Sequence, residues 1–487
     1  MRMNSIHNIF ICDKDNSVKL VKINFDKTIR EIIPSLNRSI RWDDISIVSK
    51  RKKFIYNLNP SPEYDTSKVL NGDFLLLIPG GIDPHVHFDT PGFEFRDDFE
   101  HASRAAAYGG TTTIIDMPDT SLPTVTSVKN LRAKLNAVRN RSVIDFAFWG
   151  GVCGNDFESK KDIHKQVFQL CKNGVGGFKA YLISGMHTFT DLIFEQMLEA
   201  ARIIKHNNMT LAVHAEDKHR ILTRMKKFQT NSRNDWKAYC DSRDDVAEEL
   251  AIKTLIEIAK QTECRIHIVH LSSAKGLEQV RKAQQMGLKF TAETCPHYLY
   301  FAQKDFENEK ISAFLKTAPP VKKTFDRKEL WKGLNDGSLS FVTTDHAGCN
   351  PKREKSSKNF WEVYDGIPGV EHRVPFLFSE GFLREKLSLQ KTIDLISGNA
   401  AEFFNLNQKG KLEVGKDADF ALINLWTSEV IKSRNMHSKG KYTPFENVEF
   451  NARVEKTFLR GQLVMDRKNH FIAKPGSGKF IRVRNER

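Results

Sequence analysis

Cysteine is scarce in this sequence: seven residues in 487, far apart, with no Cys-x-x-Cys pair. That excludes a disulfide framework and fits a reducing compartment. Long hydrophobic runs are also missing, so no transmembrane span is expected. Met1 to Lys22 mixes polar and charged residues where a leader would carry an apolar core, and the expected location is cytoplasmic. No zinc-finger, RNP or basic-zipper pattern is found. No Gly-rich phosphate loop and no internal repeat stands out.

What is present is an ordinary globular composition, with 40% hydrophobic and 28% charged residues. The formal net charge is +15, from 75 Lys and Arg against 60 Asp and Glu. Those cations are scattered among the acids. The densest clusters, Lys50-Arg51-Lys52-Lys53 and Lys479 to Arg487, are short. A solvated basic surface is expected, with no nucleic-acid or membrane partner.

The middle of the chain has a rhythm. Eight apolar, β-branched runs recur: 81–88, 111–118, 143–151, 175–182, 210–217, 265–272, 288–298 and 339–347. Segments with helical spacing lie between them, such as 191–207, 246–262 and 273–286. Strands alternating with helices predict a parallel sheet, and eight over roughly 265 residues match a (β/α)8 TIM barrel. An open doubly wound sheet is the alternative, and the missing phosphate loop counts against it. Both ends of the chain read as strands. Examples are 18–23, 419–425 and a hairpin over 452–464 turning near Arg460-Gly461. The expected organisation is 1–77 and 406–487 forming one small β-sandwich, with the barrel at 78–405.

Metal-binding side chains recur at the C-terminal ends of the predicted barrel strands, where barrels place their active sites. His85 and His87 lie on the same side of the first strand, since alternate residues face one way. His214, His270 and Asp345 end three further strands. A lone His-x-His is weak, because two surface histidines read the same way. Five imidazole and carboxylate groups sharing one buried pocket without a cation would be costly to desolvate. Lys179 ends another strand; by itself it reads as an exposed cation or an ion-pair partner.

These residues carry a resemblance. Pro79-Gly80-Gly81-Ile82-Asp83-Pro84-His85-Val86-His87 resembles the opening signature of the hydantoinase, dihydropyrimidinase, allantoinase and dihydroorotase group within the amidohydrolase superfamily. Matching stretches follow in order: 109–113, Gly177-Phe178-Lys179, His214-Ala215-Glu216, 270–273, 293–298, Thr344-Asp345-His346 and 410–419. The resemblance covers roughly residues 72–465. It implies a metal-dependent hydrolase opening a cyclic amide. His85 and His87 would hold one divalent ion, usually zinc, and His214 and His270 a second. A carboxylated Lys179 would bridge them. Asp345 would ligate the first ion and move the proton from a bridging hydroxide to the leaving nitrogen. A homo-oligomer, dimer or tetramer, is implied as well. A non-catalytic scaffold relative would show broken ligand positions, and all six are present.

The ring is harder to read. Dihydroorotases resemble this pattern but carry Arg two residues after His-x-His and Asn after Met-Pro. Here those positions are Asp89 and Asp119. Two acids would repel a substrate carboxylate, so a neutral ring is expected. The stretch 370–381 resembles the hydantoinase and dihydropyrimidinase branch, and Leu182-Ile183-Ser184-Gly185 is allantoinase-like. The hydantoinase side is favoured; allantoinase and dihydroorotase stay open. Candidate substrate contacts are Asp89, Asp119, Tyr181 and Thr317. Arg96 is a candidate counter-charge, and Lys316 and Arg373 are candidate carboxylate binders.

Overall fold

The computed structural model describes residues 4–36, 38–47, 50–53 and 69–483; the last part of the C-terminal basic cluster lies outside them. Eight parallel strands form the frame. They are β1 (Gly81–His87), β2 (Thr111–Asp116), β3 (Asp145–Phe148), β4 (Phe178–Tyr181), β5 (Thr210–His214), β6 (Arg265–Ile268), β7 (Phe290–Thr294) and β8 (Phe341–Val342). Each falls inside one of the eight expected runs. Strands β1 to β3 pair in one sheet and β4 to β8 in another. The chain itself joins the two sheets. Beyond Trp149, β3 runs on into Gly150–Gly151, which pairs with β4 at Phe178 and Lys179. Beyond Asp345, β8 runs on into His346–Ala347, which pairs with β1 at Val86 and His87. The order therefore runs from one to eight and back, a (β/α)8 barrel.

Every residue of β1, β2 and β5 is buried, as parallel strands covered by helices require. The helices begin where short polar side chains can satisfy their free N–H groups. Asp244 accepts from the Ala247 N–H to start Asp245–Thr262, and Ser273 accepts from the Gly276 N–H to start Ala274–Gln285. The segment expected at 191–207 is the helix Phe194–His206. Among the described residues no helix is long and apolar enough to cross a membrane.

Arg373 ties the ring closed. Its guanidinium is fully buried and donates to the Ile82 carbonyl of β1 at 2.8 Å and the Val342 carbonyl of β8 at 2.9 Å. It lies 3.8 Å from Asp83, which also accepts from the Thr344 hydroxyl at 2.6 Å. This buried arginine spends its terminal Nη donors on the barrel frame and is not among the residues lining the cleft, so it is out of reach of a substrate carboxylate there. Removing one partner of a buried pair leaves an uncompensated charge, at a cost of roughly 3–5 kcal/mol. Arg373→Met is therefore expected to lower the unfolding midpoint in urea by a corresponding amount. An unchanged midpoint would show that the staple contributes nothing.

Both ends of the chain meet in a second sheet. Its order is Phe471–Ile472, Gln462–Asp466, Arg453–Leu459, Phe420–Asn424, Leu76–Pro79, Asn4–Cys12, Ser17–Phe25 and Ile29–Pro34. Phe25 meets Phe420 at 5.3 Å and Phe458 at 6.0 Å between ring centroids. Strands far apart along the sheet therefore close over one apolar core, with Ile9, Ile23, Leu77 and Leu422 inside it. The expected hairpin turns at Arg460-Gly461, both with positive φ (45° and 72°), as tight hairpins require. A Cβ on Gly461 would lie 1.6 Å from the Asp26 carbonyl oxygen, so only glycine fits. Leu76–Pro79 pairs with Phe420–Asn424, so a division at 77/78 would cut a strand. We propose Gly80, between that strand and β1, as the boundary.

Candidate metal centre and cleft

The strand ends bring the expected ligand residues together. His85 Nε2 lies 3.1 Å and His87 Nε2 3.2 Å from one oxygen of Asp345. His214 Nδ1 faces His270 Nε2 at 3.1 Å. One donor atom each from His85, His270 and Asp345 falls within 4.8 Å of the others, a spacing one cation can span. His270 and Asp345 both stand just past their strands with positive φ, 40° and 48°. Such left-handed backbone is uncommon outside glycine and clusters at functional sites.

Lys179 is fully buried, and its Nζ has no hydrogen-bond partner among the described residues. It sits 4.7 Å from the Tyr181 ring centroid. Burial pushes it down to about 8, against the opposing pull of Asp119 and Asp345. Burial alone would raise Asp345, but His85 and His87 hold it well below the usual carboxylate range. Burial and the neighbouring His214 hold His270 well below the ordinary imidazole value, in the neutral form a metal ligand needs.

Two of the imidazoles carry carboxylate partners that the sequence reading did not single out. His85 Nδ1 is 2.5 Å from Glu293, whose other oxygen is 3.2 Å from His267 Nε2. His214 Nε2 is 2.9 Å from Glu216, which is also bound by Arg243. Glu216 belongs to the quoted His214-Ala215-Glu216 stretch, so a signal was there. Arg243 comes from the loop after the helix Trp236–Ser242 and gave none.

His85, His87, His214, His270 and Asp345 line a cleft of about 630 Å3. Phe93, Tyr181, Ile183, Met186 and Tyr364 supply apolar wall, with Arg96, Asp119, Arg243, Thr317 and Asp365 as polar points. Asp119 accepts from the Tyr181 hydroxyl at 3.0 Å and lies 3.7 Å from His87 Nδ1. The Thr317 hydroxyl donates to the Pro319 carbonyl at 2.8 Å. Asp89 is not among the lining residues. It is fully buried, and burial together with Asp97 pushes its carboxyl well above the ordinary range. Lys316 is buried behind the wall, 3.3 Å from Asp365.

A sequence profile of the amidohydrolase family matches residues 76–464. The allantoinase of Bacillus licheniformis is 33% identical over 427 residues, covering 85% of this chain and 91% of that protein. The allantoinase of Rubrobacter xylanophilus is also 33% identical, covering 88% of this chain and 92% of its own. Among solved structures, the L-hydantoinase (dihydropyrimidinase) from Arthrobacter aurescens superposes with a TM-score of 0.86 at 25% identity, over 98% of each chain.

Proposed function

The chain belongs to the amidohydrolase family, and on that premise we propose that it opens a neutral cyclic ureide by hydrolysing one ring amide C–N bond. The observation that carries this reading is the convergence of His85, His87, His214, His270 and Asp345 in the lining of one cleft, with the buried Lys179 amine against Tyr181 of the same lining. The donors fit divalent cations. Nitrogen and carboxylate ligands suit zinc, and the unpartnered buried amine of Lys179 could be carboxylated, which would supply a shared anionic ligand. His85, His87 and Asp345 would hold one ion and His214 and His270 the other. Bound there, the ions would polarise the ring carbonyl and bring the pKa of water from 15.7 to about 7.

The chain's own residues do the rest. Asp345, deprotonated at neutral pH, takes the proton of the attacking water and returns it to the leaving nitrogen. Tyr181 lines the cleft, stacked on His214 with its hydroxyl on Asp119, and is the proposed contact for the substrate ring. The apolar wall keeps bulk water from the reacting carbonyl.

Substrate neutrality rests on the cleft's cations. Among the described lining residues there are two arginines, and each has a carboxylate partner: Arg96 with Glu354 at 2.8 Å, and Arg243 with Glu216. A substrate carboxylate finds no unpaired arginine among these lining residues, and Asp119 is part of the same lining. Of Asp89 and Asp119, only Asp119 lines the cleft. The allantoinase relatives make allantoin the first substrate to try, ahead of the hydantoins favoured from sequence motifs. In one buffer with added zinc, kcat/KM is expected to be highest for allantoin or a simple hydantoin, with dihydrouracil next and dihydroorotate lowest. Dihydroorotate winning by tenfold or more would overturn the reading. The dimer or tetramer implied by the family resemblance is part of the proposal, and sedimentation of the purified protein tests it.

A further inference from the structure

Two histidines of the cluster are braced from behind, and the braces differ. The His85 brace is sealed in the interior. Glu293 is 1% exposed, it is shared with His267, and His267 Nδ1 is 2.8 Å from the Thr291 hydroxyl. The His214 brace opens on the cleft. Glu216 is fully buried, yet its partner Arg243 lines the cleft wall.

An imidazole has two nitrogens, and a carboxylate on one decides which is left for a cation. Glu216 takes Nε2 of His214 and leaves Nδ1, which faces His270 Nε2 at 3.1 Å. A rotated His214 would lose that convergence. The acid is also charge-balanced. Arg243 binds the same Glu216 oxygen that meets His214, and supplies the opposite charge. Its other oxygen, Oε1, is buried with no hydrogen-bond partner.

We propose that Glu216 is a positioning residue of the His214–His270 half-site: anchored by Arg243, it fixes His214 so that Nδ1 meets a cation shared with His270. This rests on the metal-dependent reading above. Loss of a partner of this kind costs about 10–100-fold in metal affinity. The anchoring also makes the effect local. The His85, His87 and Asp345 half-site has its own brace in Glu293 and should be untouched.

The test uses the purified zinc-loaded enzyme and a competing chelator, with metal content read by elemental analysis. Wild type is expected to release two equivalents in separable steps. Glu216→Gln is expected to release one of them at about 10–100-fold lower chelator concentration and to keep the other unchanged. Cobalt substitution supplies a second readout, with the visible spectrum of one site altered and the other retained. Glu216→Gln leaves Arg243 without its acid, so the double variant Glu216→Gln/Arg243→Met removes both charges and keeps the interior balanced. It is expected to show the same selective loss. If either folded variant holds both equivalents as tightly as wild type, the positioning role is wrong. If wild type itself binds no divalent metal, the metal-dependent reading fails instead.

Discussion

Asp345→Asn is expected to lower kcat by at least about 100-fold, and by up to about 10,000-fold, while the protein stays folded. General acid–base catalysis contributes in that range. Asn is the apt replacement because Asp345 has φ 48°, a conformation Asn adopts more readily than most residues. Alanine there would mix backbone strain with the chemical loss. Asn also keeps the shape beside His85 and His87, 3.1 and 3.2 Å away. What it loses is the charge those imidazoles stabilise and the capacity to take a proton. Steady-state kinetics paired with metal content separates the two contributions. Turnover within tenfold of wild type would remove Asp345 from the proton path.

Lys179→Met is expected to be nearly as severe. The side chain is fully buried, so methionine fills the space and the fold survives. On the proposed metal-dependent reading no carbamate could then form, and the two half-sites would lose their shared ligand. A catalytic ion contributes several kcal/mol to the transition state, which at about 1.36 kcal/mol per decade means two decades or more of rate. Two measurements check it. Metal content should fall below wild type, and 13C-labelled bicarbonate should give a carbamate carbon resonance in wild type and none in the variant. A variant retaining full metal and turnover would leave Lys179 as a plain buried amine.

The barrel was legible because its strands are short, largely buried runs rich in apolar and β-branched residues and its helices keep their own period, so the two patterns do not blur. The cluster of residues proposed as ligands was legible for a related reason: a polar group at the end of an apolar strand has few other uses. Asp89 shows where the reading stops. It was placed at the pocket because it follows His87 by two, as alternation along a strand would have it. But β1 ends at His87, and Asp89 has φ 52°, so the alternation has already broken and the side chain turns into the interior. In sequence Arg373 looks free to bind a carboxylate; in the fold it is not. Its carbonyl partners come from strands roughly 30 and 290 residues away, which no local pattern reveals. Glu216 and Glu293 stood in plain view within the motifs. Which nitrogen of which histidine each one touches is a three-dimensional fact.

The shared sheet also sets a timetable. Leu76–Pro79 leaves the ribosome early, and its partner Phe420–Asn424 follows roughly 340 residues later. At about 5–20 residues per second, that is a wait of about 17–70 s. Meanwhile β1 can already close on His346–Ala347, so the barrel is free to form first. Throughout that interval Leu76, Leu77 and Ile78 present an open strand edge, the kind that recruits other chains. Nascent chains stalled before residue 420 should accordingly be the aggregating species, and slowing synthesis of the last segment should cost more soluble protein than slowing the first.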